Sequence, residues 1–74
     1  RPPEEASSLR ERTAQAMARL PARQRTVLLL KYDRGLDNRE IARVLDMTVS
    51  AVERTVSRAK ARLREALEGL GVEV

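Results

Sequence analysis

Apolar residues recur at helical spacing along this chain, and the pattern breaks at Leu20-Pro21, at Gly35 and at Asp46-Met47. The stretches between the breaks predict four helices and no strand. The clearest stripe comes last. Val49, Val52, Val56, Ala59, Leu63, Leu67 and Leu70 follow one another at spacings of three and four, which puts them on one side of a long helix. Gly69 and Gly71 mark its end. With Val49, Val52 and Val56 turned inward, Ser50, Ala51, Glu53, Arg54, Ser57 and Arg58 fall on the other faces.

The preceding segments are read the same way. Residues 1–7, RPPEEAS, have little to bury and two prolines, and read as the end of a linker. Ser8 opens the first helix, with Glu11 at the spacing of a capping box. Its stripe of Leu9, Thr13, Ala16, Met17 and Leu20 is thin, so peripheral packing is expected. Pro21 suits the first position of a second helix. That helix carries Val27-Leu28-Leu29-Leu30, and four consecutive residues at about 100° each go round the whole circumference. Either the helix is central, or it leaves apolar surface for a partner. Gly35 is the natural stop.

The third helix has the strongest local signals. Asp37 can accept from its free amides, Glu40 completes a capping box, and Leu36 with Ile41 is spaced as a hydrophobic staple. The helix is expected to run to about Leu45 and to bury Ile41, Ala42 and Leu45. Asp46-Met47 forms a tight turn, in which Asp46 takes a position that favours positive φ and that aspartate adopts less readily than glycine. Thr48 then caps the last helix. A short capped helix, a tight turn and a second helix that becomes basic make up a helix-turn-helix over residues 37–58. The expectation is an all-α, four-helix domain over residues 8–71, with 72–74 as a tail.

Charge sharpens this reading. The 74 residues carry a net charge of +4 and a pI of about 10.6. Five basic residues and no acid lie between Arg54 and Arg64, whereas residues 37–74 as a whole are balanced at seven of each sign. Positive charge confined to one stretch fits a docking edge. The small residues Ser50 and Ala51 permit close approach to a DNA backbone, and the free amides of the helix start favour phosphate. Arg54 and Arg58, one turn apart, are in position for guanine edges or phosphates. Glu53 either accepts from a cytosine amine or pairs with a neighbouring arginine. Arg54, Arg58 and Arg62 are equally compatible with a solvated helix face.

Composition excludes other classes. There is no Cys and no His, which removes disulfides, thiolate metal sites and the usual general base. Neither a glycine-rich phosphate loop nor a catalytic carboxylate cluster is present, so no enzyme activity, cofactor, metal or small-molecule substrate is expected. No apolar run approaches the roughly 20 residues of a membrane span. With Tyr32 as the single aromatic residue, the core must be aliphatic. The start at Arg1 suggests a piece of a longer protein, and thirteen Arg against two Lys hints at a GC-rich genome.

The stretch LPARQRTVLLLKYDRGLDNREIARVLDMTVSAVERTVSRAKARLREAL resembles region four of bacterial RNA polymerase sigma factors, particularly the extracytoplasmic-function type. The resemblance covers about Leu20 to Leu67. It rests on the LP opening, the RQR-VLLL-Y helix, GL before the cap, EIA, V-AV, RAKARL and LREAL. The family implies binding of the minus-thirty-five promoter element as part of a sigma factor that directs polymerase to start transcription. By position, Thr48, Ser50, Ala51, Glu53, Arg54, Ser57 and Arg58 would face double-stranded promoter DNA. The groove of Leu28, Leu29 and Tyr32 would take the flap of the polymerase beta subunit, and anti-sigma factors often occupy the same surfaces. A cytoplasmic location follows from those partners. The family often has a basic residue at Glu53 and glycine at Asp46, which leaves base preference open. Two alternatives are a LuxR-type output domain, which NREIA resembles although VERT departs from its pattern, and a protein-interaction module without DNA contact.

Overall fold

The computed structural model describes the backbone of residues 3–73 and the side chains from Ser8 to Glu73. Among the described residues there are four α-helices and no strand: α1 (Pro3–Ala18), α2 (Ala22–Leu28), α3 (Asn38–Leu45) and α4 (Val49–Gly69). A π-helical turn over Leu29–Asp33 continues α2.

The helix starts differ in how they are fixed. At α3, Asp37 Oδ1 accepts from the Glu40 amide at 2.8 Å, and Glu40 Oε1 accepts from the Asp37 amide at 2.9 Å. This reciprocal box satisfies donors that a helix start otherwise leaves open and contributes about 1 kcal/mol. At α4, Thr48 Oγ1 accepts from the Ala51 amide at 3.0 Å. Helix α2 starts after Pro21 with no side-chain cap. The expected start of α1 at Ser8 is corrected: the helix already runs from Pro3, so Ser8 is interior and caps nothing. Pro3-Glu4-Glu5 has the residue order that favours a helix first turn. The linker expected over residues 1–7 is therefore helical from Pro3, and Arg1 and Pro2 lie outside the described residues.

Three helix ends use left-handed backbone. Gly35 (φ 74°) follows the π-helical turn, where the Arg34 amide donates to Leu29 O and the Leu36 amide to Leu30 O. Asp46 (φ 55°) ends α3, with its own amide and that of Met47 both donating to Ala42 O. Gly71 (φ 84°) follows α4, where the Gly71 and Val72 amides donate to Glu68 O and Leu67 O in the Schellman pattern. The anticipated tail thus begins with a hydrogen-bonded, half-buried Val72, and Val74 lies outside the described residues.

The core lies where α2, α3 and α4 meet. Leu20, Val27, Leu28, Ile41, Ala42, Val52, Val56 and Ala59 form one cluster, flanked by Met17, Leu30, Leu36, Leu45, Met47 and Leu63. Ile41, Val27 and Val52 are fully buried, and each contributes roughly 1.5–3 kcal/mol by leaving water. Lys31 Nζ donates to Asn38 Oδ1 at 3.0 Å and ties the π-helical turn to the start of α3. Among the described residues of α1, Ala16 and Met17 near its C-terminal end carry the packing. Leu9 is exposed, as is Thr13, whose hydroxyl bonds back to Leu9 O. The full stripe predicted for α1 is thus shortened to its last turn. On α4 the predicted seam holds at Val52, Val56 and Ala59, gains Ala66, and is only half-buried at Leu63, Leu67 and Leu70. Val49 lies at the end of this seam but is left 39% exposed.

Candidate nucleic-acid interface

Helix α4 is held at its start by three things: the Thr48 cap, the Val52 amide bonded to Thr48 O at 3.0 Å, and the packing of Val52 and Val56 beneath. A side chain three or four residues from a buried one shares its face, and those between point away. Ser50, Glu53, Arg54, Ser57 and Arg58 are all exposed. Ala51 is half-buried at the margin, next to Thr55, whose hydroxyl donates to Ala51 O at 2.8 Å. The chosen residues therefore share one accessible side, with Ala51 at its edge.

The same helix start presents backbone donors. The Ala51 and Val52 amides are used by Thr48, but among the described residues no internal acceptor engages the Val49 and Ser50 amides. Two N–H groups without an internal acceptor, at the positive end of a 21-residue helix, suit an anion such as a phosphate. Thr48 is exposed, and its hydroxyl can still donate while its oxygen accepts the cap bond.

Among the described residues, the one ion pair joins Arg34 to Asp33 at 3.6 Å, both well exposed. Among the described residues Glu53 is therefore not tied to an arginine, and Arg54 and Arg58 have no acidic partner. Arg54, Arg58 and Arg62 stand exposed on α4, while Lys60 turns to the Tyr32 ring.

The second candidate surface lies on another side of the molecule. Leu28, Leu29 and Tyr32 line an open groove of about 400 Å³. Leu28 is almost fully buried and forms its floor, whereas Leu29 and Tyr32 are 47% and 59% exposed at its edge. Sequence reading missed the rest of the lining, in particular Met17 from α1 and Lys60 and Leu63 from α4. Lys60 Nζ sits 5.4 Å from the centre of the Tyr32 ring, within cation–π range. Only the packing of α1 and α4 across α2 assembles this lining, and no local motif signals it.

A family model described as Sigma-70, region 4 matches residues 10–63. Over 54 residues the chain is 46% identical to the RNA polymerase sigma factor FliA of Pseudomonas aeruginosa, covering 73% of this chain and 22% of that relative. Over 61 residues it is 41% identical to the RNA polymerase sigma factor FliA of Escherichia coli K12, covering 82% of this chain and 26% of that relative. The chain thus spans about a quarter of the length of the curated relatives it matches.

Proposed function

The chain belongs to the Sigma-70, region 4 family, and from that premise we propose that it binds the minus-thirty-five element of promoter DNA, within a sigma factor that directs RNA polymerase to start transcription. The observation that carries the reading is the two-sidedness of α4: Val52 and Val56 are packed, while Ser50, Glu53, Arg54, Ser57 and Arg58 stand in solvent behind a capped helix start. In this reading the first turns of α4 enter the major groove. The Val49 and Ser50 amides and the Thr48 hydroxyl hold a phosphate, and Ser50 and Ala51 leave room for it. Arg54 and Arg58 reach guanine edges or phosphates, and Glu53 accepts from a cytosine amine and repels a misplaced phosphate. The family match displaces the response-regulator alternative.

The partners belong to the same proposal. The groove of Leu28, Leu29 and Tyr32 takes the flap of the polymerase beta subunit or a helix of an anti-sigma factor, which places the protein in the bacterial cytoplasm. Among the described residues no helix is long and apolar enough to cross a membrane. For the parent sigma factor, similarity to FliA proteins favours a FliA-like type over the extracytoplasmic-function type expected from the sequence.

Selection of bound duplexes from random DNA tests the central part. It should return a consensus, and affinity for that duplex should fall steeply with salt, the logarithmic slope scaling as roughly −0.9 per neutralised phosphate. Recovery of unselected sequence, or binding indifferent to salt, would leave the interaction module without DNA contact as the better reading.

A further inference from the structure

We propose that Val49 is a base-reading residue whose isopropyl group packs on the C5-methyl of a thymine in the major groove. The inference rests on α4 reading duplex DNA as described above. Val49 continues the apolar spacing of Val52 and Val56, yet it is 39% exposed while Val52 is 0% and Val56 6% exposed. It does not line the groove beside Tyr32. It is the first residue of α4 and directly follows the cap at Thr48, so its backbone is fixed. Its β-branched side chain has little rotamer freedom left to lose on contact.

The residue type is informative at that position. Valine is a weak helix former, and the positive end of a helix normally gains from an acid in its first turn. Here the first turn carries no acid. An acid beside the Val49 and Ser50 amides would repel a phosphate, whereas an apolar group leaves that approach open. In the major groove the apolar feature of a base pair is the thymine methyl, and small apolar side chains discriminate by touching it. Glu53 lies four residues further along α4, one turn away on the same flank. Val49 and Glu53 would then read neighbouring base pairs, one by a methyl and one by an amine.

Replacement of thymine by deoxyuridine removes the methyl and nothing else. The test takes the duplex recovered by selection, replaces each thymine singly, and measures binding of the 74-residue chain and of its Val49→Ala variant by fluorescence anisotropy. Thermal melting of the variant, which keeps the Thr48 cap, checks that the fold is intact. At one position the replacement should weaken binding of the parent chain about fourfold, the worth of one methyl-sized group leaving water. The same replacement should leave the Val49→Ala variant unchanged. Equal sensitivity of both proteins at every thymine, or a selected site with no thymine, overturns the role of Val49 while leaving DNA binding in place. A chain that selects no sequence overturns the interface and this inference together.

Discussion

Over its first turns α4 has two unlike sides. On one, Val52 and Val56 lie against Ile41, Ala42 and the α2 residues Val27 and Leu28. On the other, Ser50, Glu53, Arg54, Ser57 and Arg58 meet solvent, with no internal ion pair among the described residues. The packed side holds the helix in place through burial. The open side contributes little to stability, since exposed charges are worth about 0–1 kcal/mol even when paired. In the proposed reading one helix separates folding from recognition, and the two should respond independently to mutation.

The largest effect is expected on the packed side. Ile41→Ala empties a fully buried position and should cost about 2–5 kcal/mol, seen as an earlier midpoint in urea. For so small a domain this is a large part of the total stability. Duplex affinity should fall only in proportion to the unfolded fraction. Thr48→Ala sits at the junction of the two sides. It removes the bond to the Ala51 amide, and a loss of about 1 kcal/mol in a denaturation titration is expected. It should also weaken duplex binding, because the donors it orients belong to the open side. The smallest effect is expected at the turn: Asp46→Gly relieves a left-handed aspartate (φ 55°) and should stabilise by about 1 kcal/mol or less. Its measured affinity should not change, because the turn touches neither side directly.

Much of this was legible in the sequence wherever one short stretch carried the whole signal. Asp37, Glu40, Thr48 and Asp46 lie within a few residues of the groups they bond, and all four take the predicted conformations. Signals that need a distant neighbour were harder to read. Helical spacing gives the direction of Val49 but not whether another element reaches far enough to cover it. The groove at Tyr32 needs Met17, Lys60 and Leu63 from two other helices, which no local pattern brings together. The start of α1 was local and still missed: Ser8 and Glu11 matched one capping pattern, while Pro3-Glu4-Glu5 matched another further upstream. The π-helical turn over Leu29–Asp33 has no sequence mark of its own, since Gly35 only fixes where it must stop.

The most direct test pairs stability with affinity in the Arg54→Ala, Arg58→Ala double variant. Urea denaturation should overlay that of the parent chain to within about 0.5 kcal/mol, as for other exposed substitutions. Affinity for the selected duplex should fall at least tenfold, given roughly 1–3 kcal/mol for each good base contact, with a shallower dependence on salt. An unchanged affinity and salt slope in a fully folded double variant would contradict the assignment of that side of α4 to DNA.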